Sequence, residues 1–485
     1  MPAAAPVIVW FRQDLRLGDH KALAAAIATG QPVIPLYVLD DVSPGRWNMG
    51  GASRWWLHGS LAALDKDLAA RGSHLVLQRG SALDIVPELA ARCKASAVYC
   101  SRAYEPFASA LESNLKDALE VDGIAFKRYG GALLKEPEDI RTKTGEVYKV
   151  YTPFWRALSD GLAVPAPKPA PAVIFGPDRF PRGLMLDDLD LLPKKPDWAG
   201  GMRETWTPGE AGALKRLDRF LKHAMKNYAD DRNRPDVEGV SRLSPHLHFG
   251  EITPAMCWHK AGLAAARMPG SDKGHETFLK ELVWREFSYA LLFHWPDLPE
   301  APFRPEFAHF PWKSDPAHLI AWQKGQTGYP IVDAGMRELW ATGYMHNRVR
   351  MIVASFLIKH LLVPWQQGEA WFWDTLVDAD LASNAASWQW VAGSGADAAP
   401  YFRIFNPVLQ GEKFDAKGAY VRRYVPELAQ LPDEFIHQPW TAPPMVLQSC
   451  GVTLGKDYPH PLVDHVAARA RALAAYEDVK HADKK

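Results

Sequence analysis

Five short apolar runs within residues 7–128, separated by helix-period segments, constrain this chain more than any other feature. They read VIVWF, PVIPLYVL, HLVL, AVYC and IAFKR, and the intervening segment 54–71 places Leu57, Leu61, Leu64 and Leu68 on one helical face. Short apolar strands alternating with helices require crossover connections, and crossovers make parallel pairs. The expected fold of this region is therefore an α/β doubly wound parallel sheet. The turn after the first run, FRQDLRLGD, lacks the Gly-x-Gly-x-x-Gly spacing that lets a backbone approach a pyrophosphate, so no dinucleotide is expected there.

The chain has 485 residues, and single cores stop growing near roughly 250–300 residues, so two domains are expected. Eight prolines from Pro165 to Pro196 read as a long, semi-extended connector. Beyond residue 205 no alternating strand pattern stands out, and helix-period segments recur at 214–226, 276–293, 335–341 and 347–361. The domain reading is 1–130 as the α/β domain, 131–204 as a Pro-rich linker and 205–477 as an all-α domain, followed by a charged tail that frays, within EDVKHADKK.

Hydrophobic residues at 47% and charged residues at 23% exclude a disordered chain. Cys93, Cys100, Cys257 and Cys450 form no Cys-x-x-Cys pair, which argues against a disulfide scaffold and a zinc or iron–sulfur cage; no metal is expected. The start, MPAAAPVIVWF, has no basic signal-peptide region, and no apolar run approaches the roughly 20 residues that span a bilayer, so the expected location is the cytoplasm. Lysine plus arginine equals aspartate plus glutamate at 56 each, so a nucleic-acid site must be a local basic patch.

The chemistry-bearing residues concentrate in the second half. Eleven of the 19 tryptophans fall between Trp258 and Trp390. Indoles fill helical cores, but they also carry electrons and stack on unpaired bases. In GVSRLSPHLHFG, Ser244 and Pro245 read as an N-cap and first helical residue whose free N–H groups suit a phosphate, with Ser241 and Arg242 beside them; an ordinary helix start reads the same way. In YMHNRVRMIVASFLIKHLL, Asn347 and Met351 share a face, an amide and a thioether fit for a flat ligand, or surface residue and core filler. Glu281 and Trp284 in FLKELVWREF form a comparable pair, and DADLASNAASWQW gathers Asp378, Asp380, Asn384, Trp388 and Trp390 as in a polar cofactor pocket.

Taken together, GVSRLSPHL, ELVWREF, TGYPIVDAGMR, MHNRVRM and WQWVAGSGADAAPYFRIFNP, in a chain similar from VIVWFRQDLRL to LAAYE, resemble class I-type cyclobutane pyrimidine dimer photolyases within the photolyase/cryptochrome superfamily. The resemblance implies a deoxyribodipyrimidine photo-lyase, a carbon–carbon lyase that flips an ultraviolet-damaged dinucleotide out of single- or double-stranded DNA and splits it with an electron from excited reduced FAD. It makes 1–130 an antenna-chromophore domain and 205–477 the FAD- and DNA-binding catalytic domain of a monomer.

By the same resemblance, Tyr228, Val240, Ser241, Arg242, Leu243, Ser244, Phe278, Arg285, Arg350, Asp378, Ala379, Asp380 and Asn384 hold FAD, with Asn384 facing flavin N5. Trp388, Trp365 and Trp312, in order from the flavin outward, form the tryptophan chain that reduces the cofactor in light. Glu281, Trp284, Asn347, Met351 and Trp390 receive the dimer, with Arg232, Arg348 and Arg403 on the DNA backbone; Glu281, Asn347, Met351 and Asn384 are the catalytic set.

Val240 departs from the hydroxyl residue usual in the family, Ala379 from a glycine and Phe278 from a larger aromatic. The antenna site reads Tyr104-Glu105-Pro106-Phe107-Ala108 where the best-known folate mode has an Asn-Glu pair; methenyltetrahydrofolate is favoured, with a deazaflavin or an empty site open. The rivals are a cryptochrome-type photoreceptor, disfavoured by the Glu281, Asn347 and Met351 set and the short tail, and a (6-4) photoproduct photolyase, which places histidine at Asn347 and usually glutamine at Glu281. A plain flavoprotein oxidoreductase needs a nicotinamide site, for which no Gly-rich fingerprint is apparent.

Overall fold

The structure, a computed structural model, describes residues 5–313, 315–398 and 402–482. The chain divides into two compact units, residues 1–197, 205–226 and 241–296 in one, and 198–204, 227–240 and 297–485 in the other.

The first unit is built on the expected doubly wound sheet. Its strands are β1 (Val7–Phe11), β2 (Val33–Leu39), β3 (Val76–Arg79), β4 (Ala97–Ser101) and β5 (Ala125–Tyr129). The order is β3-β2-β1-β4-β5, with every pair parallel and Val7 opposite both Val33 and Ala97. Every residue of β1 and β2 is buried, which is why they read as continuous apolar runs rather than alternating ones. HLVL enters the sheet only at Val76, two residues later than the run begins. Helices α1 (Lys21–Ala28), α2 (Gly51–Ala69), α3 (Ala82–Cys93) and α4 (Pro106–Val121) supply the crossovers, and α2 buries the leucine stripe at 57, 61, 64 and 68.

The Pro-rich connector is fastened to this unit by backbone bonds. Val33 N–H donates to Phe175 O, Ile174 N–H to Arg71 O and Leu184 N–H to Leu77 O, while Phe180 packs on the sheet core. Polyproline-like backbone leaves its amides and carbonyls unpaired, and the sheet unit supplies the partners.

The second unit is helical. Its principal helices are Pro330–Thr342, Asn347–Ser355, Trp365–Thr375, Leu381–Ala392 and His465–Ala482. Gly343, at φ 66°, ends the first in the left-handed region, and His346 caps the second by accepting from Arg348 N–H. The helix expected over 347–361 passes at Phe356–His360 into a π-helical turn whose five residues are all buried. The last helix runs to Ala482, into the EDVKHADKK run expected to fray, whose residues 483–485 lie outside the described residues. Ala468, Ala472, Ala475, Tyr476 and Val479 form its buried stripe, and the last four pack with Phe307, Phe310, Leu362 and Phe402. No helix among the described residues is long and apolar enough to cross a membrane.

Candidate active site

In the first unit, the segment from Ser241 to Ser244 bends sharply. Arg242 has φ 51°, a left-handed conformation uncommon for a residue with a side chain, and Leu243 follows at φ −88°, ψ −8°. Successive residues of opposite hand aim consecutive N–H groups the same way and make an anion-binding concavity. The helix beyond it, Ser244–His248, has Leu243 at its N-cap with no side-chain cap bond. The N-cap expected at Ser244 therefore shifts by one residue, because the backbone turn does the capping; Ser244 is the first helical residue and Pro245 follows it.

The Asp272–His294 helix carries Phe278, Glu281, Trp284 and Arg285. Phe278 is buried, whereas Glu281, Trp284 and Arg285 are half-buried. Arg285 donates to Ala132 O at 2.7 Å and lies over Tyr289. One face of the Trp284 indole is taken by Tyr151, with centroids 3.7 Å apart and planes 5° from parallel. Tyr151 also donates to Lys280 O at 2.6 Å, so the stack is held from both ends. Nothing in the sequence of this tyrosine announces that contact. In the antenna run, Tyr104 is buried and its hydroxyl donates to Glu136 at 2.8 Å.

The second unit brings together the residues of DADLASNAASWQW. Asp380 caps the Leu381–Ala392 helix by accepting from Ser383 N–H at 2.7 Å, and Asp378 pairs with Arg350 at 2.8 Å. Asn384 and Trp388 follow one turn apart on the same face, and the Asn384 amide donates to Glu369 O at 3.1 Å. Trp388 is 2% exposed, and its indole N–H has no partner among the described residues. Its ring neighbours are Phe372 at 5.0 Å and Trp322 at 6.3 Å. A Cβ on Gly368 would stand 2.1 Å from the Trp388 ring, so the indole lies directly against helix backbone. Trp365 belongs to the same buried cluster, and half-buried Trp312 packs on it. Trp322 and Gly368 escape sequence reading, because a tryptophan and a glycine inside helical patterns are indistinguishable from core filling.

Also in this unit, Asn347 is exposed and Met351, one turn on, is half-buried. Arg348 donates to the Asn233 side chain at 2.7 Å. Burial lowers its pKa, and the charges of Arg232 and Arg403 lower it further. Arg348 therefore lies in a locally basic environment, the kind that attracts a polyanion. Trp390 and Arg403 line one cavity of about 330 Å³, counting its mouth, with Ser355, Lys359, Val391, Gly393 and Phe405.

The candidate residues are thus shared between the units: Ser241 to Ser244, Phe278, Glu281, Trp284 and Arg285 in the first, and Tyr228, Arg232, Val240, Trp312, Asn347 to Met351, Trp365, Asp378 to Trp390 and Arg403 in the second. Each unit by itself offers polar groups that FAD can use: the first an amide concavity suited to a phosphate, the second carboxylates, an amide and an orphaned buried indole N–H. No group of three or more metal-ligating side chains occurs among the described residues.

The sequence matches the family described as FAD binding domain of DNA photolyase over residues 278–478, and the DNA photolyase family over 7–172. The deoxyribodipyrimidine photo-lyase of Agrobacterium fabrum is 53% identical over 476 residues, covering 98% of each chain. Cryptochrome-1 of Arabidopsis thaliana is 39% identical over 96% of this chain and 69% of its own length. The crystal structure of a bacterial class III photolyase from Agrobacterium tumefaciens superposes with a TM-score of 0.95 at 53% identity, covering 99% of both chains. The chain belongs to the photolyase/cryptochrome family. It is a photolyase enzyme with FAD as its cofactor. The class I-type subclass expected from the motifs conflicts with this likeness to a class III photolyase. The motifs quoted for it surround the residues expected at the cofactor and the lesion, and do not by themselves decide the subclass.

Proposed function

We propose that the chain is a class III-type enzyme that repairs cyclobutane pyrimidine dimers in DNA under light, working as a monomer in the cytoplasm. The observation that supports this reading is the basic group around Arg348, whose guanidinium lies near the charges of Arg232 and Arg403 in the unit that holds Trp390 and suits a DNA backbone. Bound FAD supplies the excited-state electron that opens the cyclobutane ring and takes it back. The Arg242 turn with Ser241 and Ser244 would hold its phosphates, and Tyr228, Val240, Leu243, Phe278, Arg285, Arg350, Asp378, Ala379, Asp380 and Asn384 would enclose and orient it. Arg350 donates to both Asp378 oxygens and fixes the carboxylate in place.

Toward the lesion, Glu281 and Asn347 would hydrogen-bond the pyrimidine edges, while Met351 and Trp390 pack on apolar faces. Trp284 would offer its remaining face, already braced by Tyr151. Extrusion costs a few kcal/mol and least at a damaged, poorly stacked site, so the lesion is favoured over intact DNA. Trp388, Trp365 and Trp312 would conduct the electron that restores the reduced cofactor. In the sheet unit we propose an antenna chromophore, with methenyltetrahydrofolate favoured over a deazaflavin. The domains would be 1–130 for that antenna, 131–204 as linker and 205–477 for catalysis.

Asn347 and Glu281 favour the dimer over the (6-4) photoproduct as substrate. The test is ultraviolet-damaged oligothymidylate mixed with the protein under blue light, following recovery of thymine absorbance. No recovery with reduced flavin present overturns the proposal. Glu281→Gln is expected to lower repair yield more than DNA affinity, and equal loss of both reduces Glu281 to a structural part.

A further inference from the structure

Lys359 is the least ordinary residue of the second unit. Lysine is almost never fully buried unless paired, yet Lys359 is 3% exposed and no carboxylate pairs with it among the described residues. Its ammonium donates to the carbonyl of Arg403 and sits 4.5 Å from the Phe402 ring centroid. It is presented from the π-helical turn Phe356–His360, a conformation that is rare and concentrated at functional sites. It lines the cavity that also holds Trp390, Arg403 and Ser355, the last one helical turn before it.

We propose that this cavity is a phosphate subsite for the DNA strand, with Lys359 as its buried cation. The assignment rests on the repair reading above, which puts Trp390 against the extruded bases and so brings a neighbouring phosphodiester to the mouth of the cavity. Two cations, a serine hydroxyl and the apolar faces of Trp390 and Phe405 line the cavity, so a phosphate there would meet charge-assisted donors. Arg348, Arg232 and Arg403 read as the outer contacts of the backbone, and Lys359 as the inner one.

A proton is coupled to this binding. Burial, then the charge of Arg403, pushes the Lys359 ammonium down to about 7. The other titratable groups here are His360 on the same turn and His465, hydrogen-bonded to it, with Arg471 donating to the His360 carbonyl. Burial lowers His360 to about 3 and lowers His465 as well, away from neutrality, whereas it brings Lys359 down towards neutrality. An arriving phosphate favours the charged amine, so binding takes up a proton and weakens as pH rises through about 7.

The test uses an oligonucleotide containing one thymine dimer, titrated into the full-length flavoprotein from about pH 6 to about pH 9 at several salt concentrations. Wild type is expected to lose about tenfold in affinity over that range. Lys359→Met is expected to bind about tenfold more weakly at the acid end, with a flat pH profile and a salt slope smaller by about one; Lys359→Arg is expected to keep the slope and lose the pH dependence. A folded Lys359→Met protein with unchanged slope and profile overturns the subsite, because a merely structural lysine moves neither. Should that variant fail to fold, calorimetry of the wild type in two buffers decides, and absence of proton uptake near neutral pH overturns it. Inorganic phosphate alone competing as well as the oligonucleotide overturns the DNA assignment. A wild type that ignores the damaged oligonucleotide overturns the repair reading itself, a failure distinguishable from the others.

Discussion

The two units differ in how they treat buried charge. In the sheet unit, the buried carboxylates Glu112 and Glu251 are saturated with donors, although Glu286 keeps one oxygen without a hydrogen-bond partner among the described residues and burial pushes its carboxyl up to about 8. Glu112 is 1% exposed and receives Arg12 at 2.5 Å, Arg128 at 2.9 Å and the Ala103 N–H at 3.0 Å. Glu251, fully buried, accepts from the Trp56 indole at 3.0 Å and the Gly209 N–H at 2.6 Å, besides Ser60 and His246. The helical unit has such a hub in Asp333, which accepts from Thr327, Gly328 and Tyr458. Yet it also buries Lys359 with no carboxylate paired to it among the described residues and sets the like charge of Arg403 near it. Charges paired internally hold a fold together, whereas charges left in mutual repulsion lower its stability and await a counter-charge from outside. The contrast separates scaffold from binding surface without reference to any relative.

The comparison breaks most visibly at Glu112. Glu112→Ala leaves half-buried Arg12 without its carboxylate and is expected to cost about 2–4 kcal/mol, read as a lower denaturation midpoint. A loss below about 1 kcal/mol would mean that the sheet unit's charges are not paired for stability. The opposite sign is expected at Lys359, whose ordinary pKa of 10.5 falls to about 7 on folding. Between those values the unfolded chain holds the extra proton, so raising the pH through that window favours the folded state, and below about 7 the whole penalty stands. From about pH 7 to about pH 9, wild type should therefore gain about 2 kcal/mol more stability than Lys359→Met, as measured by denaturant unfolding at each pH. Equal gains in the two proteins would place Lys359 among the paired charges.

The smallest effect is expected at Gly368, where no charge is involved. Gly368→Ala drives a methyl into the Trp388 ring, for an expected loss of about 1–3 kcal/mol. By moving that indole it should also slow flavin photoreduction, followed as the decay of oxidised-flavin absorbance under blue light. Unchanged photoreduction in a destabilised variant would separate the position of Trp388 from its proposed role in electron transfer.

The sequence by itself determined the sheet and the helical half. Parallel strands buried on both faces must be apolar throughout, and their periodic crossover helices are written in the leucines of residues 54–71. It also determined which residue types are available for chemistry, since Asp378, Asp380, Asn384 and Trp388 lie within one short run and a helix must set the last two on one face. Only the tertiary structure decided what each of them meets. Tyr151 reaches Trp284 across more than a hundred residues of chain, and Gly368 gives room to an indole on another helix. Lys359 reads as the polar side of an amphipathic helix until a π-turn and the 402–405 segment close over it. Local pattern encodes which face of an element is apolar. Burial, like-charge proximity and ring contact belong to pairs of residues distant in sequence, so packing alone sets them.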